Sequence, residues 1–134
     1  MRAQQFIDSV AVASGLDRFD ANATIAVVLA TLRRRLTPGE CDHLVARLPP
    51  PIGRFLTKSG KRQRTIKLSR EEFVYRICRA LDVDAREALL RIRSVYLVLR
   101  HAVGTIAPEE LEHLAKLVPP DLRDVLEAPS QAGR

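Results

Sequence analysis

Two stretches of this chain carry metal-binding residue types at a helical spacing. Glu40-Cys41-Asp42-His43 and Glu110-Leu111-Glu112-His113 are both Glu-x-x-His. Residues three apart share a helix face, so a carboxylate and an imidazole at this spacing reach one ion. Two such pairs, joined by a glutamate from each of two further helices, build a carboxylate-bridged di-iron centre. The candidate ligands are therefore Glu40, His43, Glu110 and His113. Two features of the same sequence count against a metal. Glu40 follows Thr37 and Pro38, the arrangement of a capping box at a helix start. The long helical stretch from Asp20 to Leu36 holds no glutamate, and its counterpart in the second half has only Glu87, near one end. With two inward carboxylates missing, no metal and no other cofactor is expected, and His43 and His113 are read as partly exposed.

Other chemistry is weaker still. Cys41 lies near a helix N-terminus, which favours a thiolate, but Asp42 beside it acts in the opposite sense. His43 cannot face it from two residues on, leaving His101 and His113 as the other histidines. Cys41 is therefore read as an ordinary helix-start thiol and Cys78 as a small buried residue. Ser59-Gly60-Lys61 lacks the rest of a phosphate-binding loop. No nucleophile elbow is present. No catalytic residue is assigned, and the chain is not read as an enzyme.

The elements that would position the Glu-x-x-His motifs repeat along with them. Pro38, Glu40, His43, Leu44, Leu48, Pro49, Pro50, Ile52 and Leu56 return seventy residues later as Pro108, Glu110, His113, Leu114, Val118, Pro119, Pro120, Leu122 and Leu126. Self-similarity of this kind sets the architecture. Earlier in each half, Phe73, Val74 and Ile77 answer Phe6, Ile7 and Val10 at sixty-seven. The change of offset implies about one extra helical turn in or near the second long helix.

Apolar periodicity predicts a helix from Gln4 to Ser14, closed by Gly15. A second runs from Phe19 or Asp20 to Leu36, apolar nearly all round and so expected to be buried. A third opens at Thr37-Pro38 and ends at Leu48, before three prolines. A short helix or turn follows from Ile52 to Leu56. Arg64 to Leu68 alternate as in a brief strand. Ser69 caps the next helix, and another runs from Ala85 to Val103, ended by Gly104-Thr105. The expected fold is an all-α helical bundle of two pseudo-symmetric repeats, each with three main helices and a short fourth. It forms one domain over 1–134: repeat one about 3–57, a joint 58–69, repeat two about 70–127, and a frayed tail 128–134. The two long helices form its central pair.

A chain of 134 residues can bury a core without staples, and with 4% aromatics that core is aliphatic. Two cysteines make no disulfide framework. No apolar run reaches the roughly eighteen residues of a membrane span. Asp8 interrupts the apolar start of the chain, so it is not read as a signal peptide, and a cytoplasmic location is expected. The net charge of +6 is local. Between Asp42 and Glu71 there is no acidic residue, while the remainder of the chain is slightly acidic. Within that interval Lys58, Lys61, Arg62, Arg64 and Lys67 could follow a phosphate backbone of nucleic acid or ribosome. Phe55 is the one aromatic near enough to stack on a base. A second candidate surface is the row Arg86, Arg93 and Arg100, flanked by Leu90 and Leu97, where arginine stems could lie over apolar surface of a protein partner or a second protomer.

This layout resembles a bacterial family designated only as a domain of unknown function, DUF2267, a duplicated all-helical family. The resemblance covers Phe6 to Leu126. It rests on Phe6, Val10, Gly15, Val28-Leu29, Leu32, Gly39-Glu40 and Leu48-Pro49, then on Phe73, Ile77, Val98-Leu99, Glu110 and Pro119. The family pattern often has Gln before the first Leu-Pro, where Arg47 stands here, and the two histidines lie outside it. These are packing and capping residues, so the resemblance implies a fold and carries over no catalytic residue. The leading expectation is a non-catalytic module that binds a protein partner or itself. The alternative is electrostatic nucleic-acid binding through the segment 54–70.

Overall fold

A computed structural model of the chain describes residues 1–57 and 65–110, together with 112, 114, 116, 122 and 123. The described residues form an all-helical structure. Its helices are α1 (Ala3–Ser14), α2 (Arg18–Arg33), α3 (Pro38–Val45), α4 (Pro50–Gly53), α5 (Arg70–Leu81) and α6 (Ala85–Ile106), with 3-10 turns at Arg54–Leu56 and Pro108–Glu110. No described helix is long and apolar enough to cross a membrane.

Helices α2, α3, α5 and α6 each start where a side chain replaces the missing backbone acceptor. Asp17 accepts from the Asp20 amide at 2.8 Å, Thr37 from Glu40 at 3.1 Å, Ser69 from Glu72 at 3.2 Å and Asp84 from Glu87 at 2.8 Å. Such caps contribute about 1 kcal/mol each. Two helices stop in the left-handed region, α1 at Gly15 with φ 71° and α5 at Asp82 with φ 55°. Glycine adopts that conformation freely, whereas aspartate does so at a cost. Asp82→Gly is therefore expected to raise stability by about 0.5–1 kcal/mol, read as a higher urea midpoint at constant slope.

Packing follows from which faces are apolar. Helices α1 and α5 each lie against both α2 and α6, and α2 and α6 touch each other between them. Phe6 and Val10 of α1, Ile25 and Leu29 of α2, Phe73 and Ile77 of α5, and Ile92 and Leu99 of α6 are fully buried there. Burial of each such side chain contributes roughly 1.5–3 kcal/mol. A gap of about 10 Å³ remains between α2, α5 and α6, lined by Val28, Leu32, Phe73, Val95 and Tyr96 among others. It holds at most about one water-sized sphere and its lining is apolar, so it is a packing defect and not a ligand site.

Several element ends differ from the sequence expectation. Helix α2 stops at Arg33, short of Leu36, because the next three residues tighten into turns. The Arg35 amide bonds to Leu32 at 2.9 Å and that of Leu36 to Arg33 at 3.1 Å. The carbonyls released go to the chain from Thr65 to Leu68. The Ile66 amide donates to Arg34 at 2.8 Å, and the Thr65 hydroxyl to Leu36 at 3.1 Å. The Arg35 guanidinium donates to the Leu68 carbonyl. Residues 65–69 thus form no strand but lie along the end of α2, with Leu68 buried. Arg64 lies outside the described residues. Nor is α2 buried all round. Ala23, Ala26 and Val27 are half-buried and Ala30 is exposed. Helix α3 ends at Val45, and Ala46 to Leu48 turn toward the prolines, the Leu48 amide reaching Val45 at 3.2 Å. Helix α4 begins at Pro50, two residues before the short helix or turn expected from Ile52, since proline suits a first helical position. Helix α6 passes through Gly104 and Thr105 to Ile106, held there by the buried Ala102 and Val103 beneath it.

Candidate interaction face on the last long helix

Helix α6 is 22 residues long and buries one side completely. Ala88, Ile92, Val95, Tyr96, Leu99 and Val103 form that side, all at most 4% exposed. The opposite side carries the predicted row. Leu90 is 45% exposed and Leu97 39%. Arg86 and Arg100 flank them in the open, and Arg93 between them is half-buried. Side chains at this four-and-three spacing project along one line of a helix. The structure therefore places all five predicted residues on one face, with two leucines left partly exposed.

At the inner edge of α6 a polar cluster faces α2. The Arg91 guanidinium donates to the Glu87 carboxylate at 2.8 Å and to the Thr24 hydroxyl at 3.2 Å. Thr24 is 0% exposed, and the Arg91 side chain is 14% exposed. A guanidinium this far from water must be matched by acceptors, and here two helices supply them. Sequence reasoning missed this cluster. Its one visible signal was Glu87 four residues before Arg91, a spacing common on solvated helices.

The other predicted residues fall as follows. Lys67 is exposed. Lys58, Lys61, Arg62 and Arg64 lie outside the described residues, as do His113 and the side chain of Glu110. The Glu40 carboxylate accepts from the Thr37 amide at 2.8 Å while Thr37 accepts from the Glu40 amide, the reciprocal capping box. That role turns Glu40 toward its own helix start, and His43 is exposed. Among the described residues, no three His, Cys, Asp or Glu side chains gather where they could hold a metal ion.

Cys41 is buried at 9% exposure. Burial pushes its thiol up from the ordinary range; Arg33 opposes this, while Asp42 and Glu40 add to it. A raised value depletes the nucleophilic thiolate at neutral pH. Iodoacetamide is expected to alkylate Cys41 at pH 7.5 at least tenfold more slowly in the native protein than in urea, with the native rate still climbing above pH 9. Native labelling as fast as in urea would show an open, activated thiol.

Sequence reasoning also left several apolar side chains unplaced on any surface. Val12 is 85% exposed, Phe19 82%, Tyr75 62% and Ile106 57%.

A family model described as an uncharacterized conserved protein (DUF2267) matches residues 3–125. No curated protein matches the chain.

Proposed function

The chain belongs to the DUF2267 family, and from that premise we propose that it is a non-catalytic, cytoplasmic helical interaction module of two pseudo-symmetric repeats that binds a protein partner through the outer face of α6. The reading rests above all on one observation, that Leu90 and Leu97 stand 45% and 39% exposed on a helix whose other side is fully buried. Both cysteines are free thiols, which suits a reducing compartment.

The repeat supports this reading through what differs between its copies. At an offset of sixty-seven, Phe6 and Phe73, Ala21 and Ala88, Ile25 and Ile92, and Leu32 and Leu99 are alike in type and all buried. The left-handed stops Gly15 and Asp82, and the caps Asp17 and Asp84, are offset alike. At seventy, Leu44 pairs with Leu114 and Ile52 with Leu122, again all buried. Repeat one then covers about 3–57 and repeat two about 70–127, joined by 58–69. Under this correspondence Leu90 and Leu97 of α6 answer Ala23 and Ala30 of α2. The fold accepts alanine at those positions. Leucine there adds apolar surface that the core does not need, which is what a partner site requires.

The experiment is site-specific photo-crosslinking in the native organism, with the reactive residue at 90, at 97 and, as a control, at the exposed Arg79. The same protein is expected to be captured at 90 and 97 and not at 79. Equal capture at all three positions overturns the reading. A second reading has one observation in its favour, the acid-free interval with its eight basic residues from Arg47 to Arg70. Nucleic acid bound there would be released steeply by salt, and lost when Lys58, Lys61, Arg62 and Arg64 are neutralised. No mobility shift at low salt removes it.

A further inference from the structure

A different surface lies on α2, and we infer that it pairs two copies of this chain by antiparallel packing of their α2 helices. Helix α2 turns Ala21, Ile25, Val28, Leu29 and Leu32 into the core. At about 100° per residue, the direction opposite that core falls to Phe19, Ala23, Ala26, Val27 and Ala30. No charged residue stands between Asp20 and Arg33. A helix side that meets water ordinarily carries charged and polar groups. This one opens on Phe19, 82% exposed, and runs through half-buried Ala23, Ala26 and Val27 to the exposed Ala30. Side chains this small let a second helix approach at the short end of the roughly 8–10 Å range of helix packing.

The charges at the two ends of the face select its occupant. Its start carries the exposed Asp20, while Arg18 beside it is already paired with Asp8 at 2.8 Å. Its end carries Arg33 and Arg34, both half-buried. A helix with an acidic start and a basic end complements a copy of itself laid antiparallel. A two-fold axis between Ala26 and Val27 sets Ala23 over Ala30 of the second copy, and Val27 over Val27 of the second copy. The same register brings Asp20 to Arg34 of the second copy. It also carries Phe19 to the end where Arg33 of the second copy stands, and a guanidinium there can lie on the ring. Each contact is made twice, as a closed two-fold pair requires. Parallel pairing would set Asp20 against Asp20 and arginine against arginine. A wholly acidic or wholly basic partner would meet its own sign at one end of the face. A second copy satisfies both ends.

The test is sedimentation equilibrium of the full chain over a range of concentrations. A dimer is expected, and Ala30→Lys should raise its dissociation constant at least tenfold, because a long charged side chain then stands where the two helices approach. Asp20→Arg should weaken it as well, by bringing arginine onto arginine. Ala30 and Asp20 are both exposed, so the fold should survive these changes, which circular dichroism and an unchanged urea midpoint would verify. Combining Asp20→Arg with Arg34→Asp exchanges the charges across the pair and should regain the dimer that Asp20→Arg loses. Leu97→Gln, on the α6 face, should leave the dimer intact. A monomer at every concentration up to about 0.5 mM overturns the inference. So does a dimer that Ala30→Lys leaves unchanged, or one that Leu97→Gln dissolves. A folded double variant that stays monomeric overturns it too, since the antiparallel register requires the exchange to work.

Discussion

Phe73→Ala is expected to destabilise the protein by about 3–5 kcal/mol, against a total of roughly 5–15 kcal/mol for a domain of ordinary stability. The Phe73 ring is 1% exposed and lines the packing gap between α2, α5 and α6. Truncation therefore removes a large apolar side chain and opens a cavity onto a gap already present, where α2, α5 and α6 meet and little can collapse into it. The cost is the lost transfer energy plus the uncollapsed volume. Urea unfolding should show the midpoint falling sharply with little change of slope. Phe6→Ala is the matched comparison, since Phe6 is 0% exposed and lies on α1, which packs against the same helices α2 and α6. Comparable losses would fit two halves that build one core between them. A loss below about 1 kcal/mol at Phe73 would mean that the ring is not enclosed as described.

Much of this fold was legible in the sequence because local chemistry and global packing agree. Thr37 and Ser69 announced helix starts that the structure realises with hydrogen bonds of 3.1 and 3.2 Å. The faces of α1 and α5 followed from Phe6, Val10, Phe73 and Ile77 at helical spacing. Helix ends were less legible, because distant residues decide them. Arg34 to Leu36 look helical in isolation, but Thr65 and Ile66 take their carbonyls from thirty residues away. Gly104 is a poor helix residue, but buried neighbours on either side of the turn carry the helix past it. The Glu-x-x-His motif shows the opposite case. Its chemistry looked specific, yet the Thr37-Pro38 start already accounted for Glu40, and the structure gives the carboxylate to the Thr37 amide.

The α6 face was legible as a seven-residue period, but its exposure was not. Arginine and leucine in alternation fit a seam between the two halves as well as a surface. Only the placement of α6 against α1, α2 and α5 shows which side of it the bundle covers. The exposed Phe19 and Val12 could not be read at all, since an apolar residue in a helix is ordinarily assigned to a core.

The link between Thr24 and Arg91 needed the structure most, and it carries the second large effect. These two residues are sixty-seven apart in the chain, and the Arg91 guanidinium donates to the Thr24 hydroxyl at 3.2 Å. The bond ties α2 to α6 where the two helices touch. Arg91→Ala is expected to destabilise by about 2–3 kcal/mol, because it strips the buried Thr24 hydroxyl of its donor and removes the packed arginine stem. The exposed pair Arg18–Asp8, at 2.8 Å with side chains 69% and 42% exposed, should lose less than about 1 kcal/mol in Asp8→Ala. The Arg91–Glu87 ion pair is equally short at 2.8 Å but far less exposed, so burial and the added Thr24 contact make the difference. Replacing both sides of the link by apolar groups, Thr24→Val with Arg91→Leu, removes the stranded polar atom as well as its partner. That double variant should be markedly more stable than the sum of the single losses predicts. Additive losses in the urea cycle would show that Thr24 and Arg91 contribute independently, and that packing alone sets the crossing of the two long helices.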